Sequence, residues 1–113
     1  MKTPMERVAE AKSRITEITV DDLKCADLVN KLLIDVREAH EHEECRIGEC
    51  INIPRGILEF EILKHCEAEG VATELILFCK TGGRSALAAE ALLDLGFSNI
   101  VSLSGGIEAW NAA

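Results

Sequence analysis

Apolar residues fall along this chain in two rhythms. Leu32-Leu33-Ile34-Asp35-Val36, Cys50-Ile51-Asn52-Ile53, Leu75-Ile76-Leu77-Phe78 and Ile100-Val101-Ser102-Leu103 are short, nearly continuous apolar runs. Their length and content suit strands buried on both faces, with Pro54 stopping the second. Ile15 to Ile18 is a shorter strand candidate. The other rhythm is helical. Between Ser85 and Leu95, residues Leu87, Ala88, Ala91, Leu92 and Leu95 recur at three- and four-residue steps, and Gly96 is placed to end the helix. A helix from about Ile57 to Cys66 takes Ile57, Phe60, Ile62 and Leu63 as its apolar side. That stretch is most simply core, although an exposed part of it could form a dimer contact. Thr19 precedes Val20-Asp21-Asp22-Leu23 as an N-cap with acids in the first turn. Residues 4–14 read as a polar, alanine-containing helix of weak amphipathicity, packed on the outside or partly mobile. Residues 37–49 are polar and irregular and are expected to be the longest loop. Gly105-Gly106 predicts a turn, and Ile107 to Trp110 a closing helical turn.

Strands that alternate with helices and are apolar throughout predict an α/β fold with a parallel sheet covered on both faces. Sites in such sheets gather at the carboxyl ends of the strands. Cys79, directly after Phe78, falls at that edge. A chain of 113 residues fits one domain. We divide it into an N-terminal helical extension, 1–14, and a domain over 15–113.

The net charge of −8 disfavours nucleic acid and anionic membrane as partners. No apolar stretch is long enough to span a bilayer, and the N-terminus carries charges where a secretory segment needs apolar residues. Five cysteines, an odd and scattered set, suit a reducing compartment. A cytoplasmic location is the expectation.

Cys79-Lys80-Thr81-Gly82-Gly83-Arg84-Ser85 carries the candidate chemistry. A cysteine ending a buried strand, then a glycine-bearing loop, then a helix start, gathers free backbone N–H groups and helix-dipole potential around one sulfur. Gly82 and Gly83 can take the positive φ that curls such a loop into an anion nest. Arg84 adds a cation at the mouth and Lys80 a second. These surroundings favour a thiolate near neutral pH, which makes Cys79 the candidate nucleophile. The reading requires that the Cys79 side chain be open to solvent.

The chain resembles the single-domain rhodanese (thiosulfate sulfurtransferase-like) family from roughly Ile15 onward. The resemblance is carried by Leu33-Ile34-Asp35-Val36-Arg37-Glu38, by Ile47-Gly48 with Ile51-Asn52-Ile53-Pro54, by the Cys79–Ser85 loop, and by Leu103-Ser104-Gly105-Gly106 with Trp110. It implies a rhodanese-like three-layer sandwich, with a mainly parallel sheet of about five strands and helices on both faces. It also implies a persulfide on Cys79 as the carrier of a sulfane sulfur. The donor would be thiosulfate or a related compound, and the acceptor cyanide, a thiol or a thiol-bearing protein. Residues Lys80, Thr81, Gly82, Gly83, Arg84 and Ser85 would form the substrate-binding loop. Arg84 would either draw in the donor's sulfonate or pair with an acid such as Asp35 or a loop carbonyl. Asp35 and Arg37 would support the site structurally, with Glu41 as the acid that partners Arg37. No cofactor is implied, and a monomer or homodimer suits the fold.

Cys45-Arg46-Ile47 stands where the family commonly has Gly-His-Ile, Cys50 where alanine is usual, and His42 where an aromatic is usual. These departures fall in the 37–50 segment. Four residues separate Cys79 from Arg84, as in the sulfur-transferring members. The related dual-specificity phosphatases and arsenate reductases carry one more, which disfavours their chemistry here. A non-catalytic or regulatory interaction module is the alternative from another class. His40, His42, Cys45 and Cys50 match no strong zinc pattern, so no metal site is expected. The bland expectation for them is exposed histidines, a loop thiol at Cys45 and a packed Cys50. Cys25 and Cys66 read as small hydrophobes in helices.

Overall fold

A computed structural model describes residues 1–69 and 74–113. Five parallel strands form one sheet in the order β1-β5-β4-β2-β3. They are β1 (Glu17–Ile18), β2 (Lys31–Asp35), β3 (Ile51–Asn52), β4 (Glu74–Phe78) and β5 (Ile100–Leu103). The helices are α1 (Pro4–Arg14), α2 (Val20–Cys25), α3 (Ala39–Glu44), α4 (Leu58–Glu69), α5 (Gly83–Asp94) and α6 (Gly106–Ala112). The expected α/β architecture with both sheet faces covered is therefore present.

Alternation along the central strand divides the core in two. Leu75 and Leu77 of β4 point into a cluster with Ile34, Leu58, Ile62, Ala88 and Leu92, which is the α4/α5 side. Ile76 and Phe78 point into a second cluster with Val20, Leu23, Leu33 and Ile107, which is the α2/α6 side. A strand buried on both faces must be apolar where it is buried, and β4 is so from Leu75 to Phe78.

Three expectations need correcting. Residues 37–49 are not one irregular loop, because α3 forms within them. Glu38 N–H donates to Glu41 Oε1 at 3.0 Å, so an acid in the first turn satisfies a free donor at the helix start. The apolar side of α4 is also different. Leu58, Ile62 and Cys66, at four-residue steps, face the core, while Ile57, Phe60 and Leu63 are exposed. Phe60 is 79% exposed. On α5, Leu92 and Ala88 are buried as expected, but Leu95 is exposed and Ala86, Ala89 and Glu90 are buried instead.

The reason is α1. It packs along the outer side of α5, so α5 is covered by the sheet on one side and by a second helix on the other. Ala11 is fully buried at this contact. Glu90, 4% exposed, accepts from Arg7 and from Arg14 (3.0 Å), and Arg14 also reaches Asp94 at 2.8 Å. Thr3 caps α1 with Pro4 in its first turn. The C-terminus of α5 closes as the sequence predicts: Gly96 takes φ +104°, its N–H donates to Leu93 O, and Phe97 N–H donates to Leu92 O.

Candidate active site

Cys79 follows β4 at the carboxyl edge of the sheet, and Gly82 and Ser85 turn their backbone N–H groups onto its sulfur. The N–H to Sγ distances are 3.1 Å for Gly82 and 3.3 Å for Ser85. Gly82 achieves this with φ +106°, a conformation that a residue with a Cβ adopts at a cost. Gly83 does not share that conformation; it is the first residue of α5 and lies against Val8. Among the described residues, the amides of Lys80, Thr81, Gly83 and Arg84 donate to no other group.

The loop is held from behind by α6. Ile107 N–H donates to Cys79 O (2.9 Å) and Glu108 N–H to Lys80 O (3.1 Å). This contact depends on Gly106. A Cβ there would sit 2.5 Å from both the Cys79 and the Lys80 carbonyl oxygens. With their carbonyls drawn toward α6, these peptides keep a fixed orientation in the loop. Gly106 therefore acts on the site directly, where the sequence suggested only a closing turn.

Beneath the sulfur lies a buried hydroxyl pair. Ser85 Oγ is 2.8 Å from Ser102 Oγ, 3.4 Å from Gly82 O and 3.5 Å from Cys79 Sγ. Ser102 was not singled out from sequence, yet a lone polar residue in the apolar run Ile100–Leu103 was its signal.

Of the loop's two cations, Arg84 is engaged and Lys80 is exposed. Arg84 binds Glu41 through two bonds, Nη1 to Oε1 at 2.7 Å and Nη2 to Oε2 at 3.0 Å. Glu41 was expected on Arg37, so this pairing is a correction; α3 carries the carboxylate across to the loop instead. The Arg84 hydrogen bond is the main reason the Glu41 carboxyl is lowered from 4.5 to about 2. Lys80 is exposed, with Glu108 3.9 Å away.

Arg37 is buried against Asp35. Its Nε donates to Oδ1 (2.9 Å) and Nη2 to Oδ2 (2.8 Å), and Nη2 also donates to Cys45 O. Asp35 further accepts from Arg37 N–H at 3.0 Å. Asn52 Nδ2 donates to the carbonyls of Asp35 (3.0 Å) and Arg37 (2.9 Å), pinning the β2–α3 connection to β3.

His42 is not an exposed histidine. Its Nδ1 lies 3.0 Å from Asp35 Oδ2, and Arg46 Nη1 lies 3.1 Å from its Nε2. An arginine can only donate, so Nε2 accepts and Nδ1 carries the hydrogen toward Asp35. Asp35, His42 and Cys50 thus come together, with potential ligand atoms within 4.8 Å of one another. Both Asp35 oxygens already serve Arg37. Cys45, read as a loop thiol, directly follows α3 and is exposed; Cys50, expected to be packed, is half-buried; Cys66 is buried, but Cys25 at the end of α2 is exposed rather than packed. Burial raises the Cys50 and Cys66 thiols.

Cys79 is 1% exposed. The expectation of an open side chain is not met: the loop and its surroundings close over the sulfur.

The rhodanese-like domain model matches residues 12–113, nearly the whole chain. The chain belongs to the rhodanese-like family. This rhodanese-like domain is 37% identical over 83 residues to a maize protein named adenylyltransferase and sulfurtransferase MOCS3-2. That match covers 70% of the present chain but 17% of the maize protein. It is 26% identical over 98 residues to a sulfurtransferase of Allochromatium vinosum, covering 85% of this chain and 88% of that one. Among solved structures, a Rhodopseudomonas palustris protein named as a possible tyrosine phosphatase superposes with a TM-score of 0.85 at 25% identity. That likeness covers 99% of this rhodanese-like domain and 91% of its counterpart. Among the described residues, no helix is long and apolar enough to cross a membrane.

Proposed function

We propose that this domain is a sulfurtransferase that moves a sulfane sulfur from thiosulfate or a related donor to a thiol, through a persulfide on Cys79. The observation that carries the reading is the pair of amides, Gly82 and Ser85, aimed at one sulfur inside a loop of four intervening residues. Two N–H donors converging on sulfur suit an anion, either thiolate or persulfide. The relatives named as sulfurtransferases support the same class of chemistry.

In the first displacement, the Cys79 thiolate forms a bond to the outer sulfur of thiosulfate. The S–S bond of thiosulfate breaks, and sulfite leaves with its electron pair. In the second, an acceptor thiolate attacks the outer sulfur of the persulfide and restores the Cys79 thiolate. Neither step requires a general base. The amides of Lys80, Thr81, Gly83 and Arg84 are available to the outer sulfur. The acceptor is a small thiol or a thiol-bearing protein, and cyanide serves in an assay.

Incubation with thiosulfate followed by intact mass tests this. The expected result is a gain of one sulfur atom, removed by cyanide or dithiothreitol and absent in Cys79→Ser, whose melting temperature stays close to that of the parent. Sulfur uptake that persists in Cys79→Ser would assign the carrier to another thiol.

The closed sulfur favours a second reading, a non-catalytic docking module. It predicts no sulfur uptake and negligible alkylation of Cys79 by iodoacetamide in the folded protein. Hydrolysis of a phenyl phosphate without a sulfur adduct would instead support phosphatase chemistry.

A further inference from the structure

Of the cations that the nucleophile loop supplies, Arg84 is not free to receive an anionic donor, and Lys80 is an exposed side chain on the acidic side of the loop. Arg84 is committed to Glu41 through two hydrogen bonds, and Lys80 stands beside Glu108. The cleft on that side also holds Glu44, which has no basic partner among the described residues, and Glu108 beside Lys80, while its Arg37 is committed to Asp35. The other flank of the loop is different. Lys12 of α1 is half-buried and has no acidic partner among the described residues. Its Nζ lies 3.9 Å from the position a Gly82 Cβ would take. Gly82 is the residue whose amide donates to Cys79 Sγ, so this ammonium stands beside a residue that touches the nucleophile. Beside it runs a groove of about 380 Å3 walled by Pro4, Met5, Val8 and Ala9 and floored by Thr81 and Gly83. One free cation at the end of a hydrocarbon wall matches a ligand with an anionic head and an apolar body.

We infer that Lys12 and the α1 groove form the receiving site for an anionic sulfane-sulfur donor that carries an organic body, of the thiosulfonate type R–SO2–S−. The inference rests on the sulfurtransferase reading given above. Lys12 is a positioning residue in it: it holds the departing sulfonyl end while Cys79 acts. The Cys79 thiolate bonds to the terminal sulfur, the S–SO2R bond breaks, and the electron pair leaves with a sulfinate. Two negative charges enter and two remain, one on the persulfide and one on the sulfinate beside Lys12.

The test uses the full chain with thiosulfate and benzenethiosulfonate as donors, and Lys12→Met with Lys12→Arg as its conservative partner. Lys12→Met is expected to raise KM for both donors roughly fivefold, the scale of one exposed ionic contact, in a change carried mainly by KM. Lys12→Arg restores it, and added salt erodes the difference. Met5→Ala is expected to raise KM for benzenethiosulfonate while leaving that for thiosulfate in place. Alkylation of Cys79 supplies a readout that does not depend on sulfur transfer. The ratio of iodoacetate to iodoacetamide rates should fall about fivefold in Lys12→Met, since only iodoacetate carries a charge. An unchanged ratio in a variant with the parental melting temperature overturns the inference. If the parent protein takes sulfur from neither donor while iodoacetamide still labels Cys79, the sulfurtransferase reading fails and the alkylation ratio decides whether Lys12 serves anions at this loop; a Cys79 that neither reagent labels overturns the inference as well.

Discussion

The two flanks of the nucleophile loop spend their charges in opposite ways. On the α3 flank the charges nearest the loop and the sheet are answered: Glu41 by Arg84 and Asp35 by Arg37. On the α1 flank, Arg7 and Arg14 are committed to Glu90 and Asp94, but Lys12, which faces the loop, is left unanswered. A satisfied ion pair fixes geometry and has little left to offer a ligand. An unpaired ammonium at a groove does little for stability and remains available for binding. Charge near an active loop thus divides into charge that builds and charge that receives.

The largest effect should come from removing the support common to both flanks. Gly106→Ala puts a methyl group against two backbone oxygens at 2.5 Å, neither of which can move without shifting Cys79 or Lys80. A loss of about 3 kcal/mol or more is expected, because strain at a left-handed position adds to the clash. Thermal unfolding measures it, and a Tm near the parental value would remove α6 as the loop's support.

Of comparable size is the effect on the α3 flank itself. Asp35→Ala leaves the buried Arg37 guanidinium without its partner, at an expected cost of about 3–5 kcal/mol in urea unfolding. If it costs no more than an exposed pair, that flank does not build the fold and the contrast fails.

Glu41→Gln should cost less, about 1–2 kcal/mol, since the Glu41–Arg84 pair is partly solvated. The pH dependence sharpens the case. The Glu41 carboxyl is lowered to about 2 in the folded protein, so its contribution is complete above the unfolded value near 4.5. It is lost progressively as pH falls from there toward 2. The urea midpoint of the parent should therefore drop through that window more steeply than that of Glu41→Gln. The same variant frees Arg84, so iodoacetate should gain on iodoacetamide at Cys79. An unchanged ratio would mean that Arg84 does not face incoming anions even when released.

The smallest effect belongs to the outer end of α1. Asp94→Asn removes one exposed partner of Arg14, and a change below about 0.5 kcal/mol is expected. A larger loss would show that the α1 flank is held by charge to the same degree as the α3 flank.

The nucleophile loop was legible in the sequence because its determinants are local. A strand end, a glycine that must turn left-handed and a helix start lie within seven residues, Cys79 to Ser85. The α3 flank was not, because its meaning is long-range: Glu41 finds Arg84 at a separation of 43 residues, and nothing near Glu41 marks that partner. Ala39, Glu41, Glu43 and Glu44 are good helix formers, but the polarity of the segment disguised it as loop. In α4 the failure was one of choice. Ile57, Phe60 and Leu63 and the set Leu58, Ile62 and Cys66 are both apolar at helical steps, so periodicity alone could not say which faces the sheet. Lys12 went unremarked for a similar reason, since its value comes from the place to which α1 carries it.

The sheet is widest in bonding at its centre and narrowest at its rims. Strands β1 and β3, which border it, each contribute two residues, and Pro54 stands just beyond β3. A rim of that length offers an approaching chain few unsatisfied amides to zip against, and a proline interrupts any extension. Growth of the sheet into a fibril is thereby discouraged at both borders, so concentrated solutions of this acidic protein should resist thioflavin-positive assembly until the fold itself is lost.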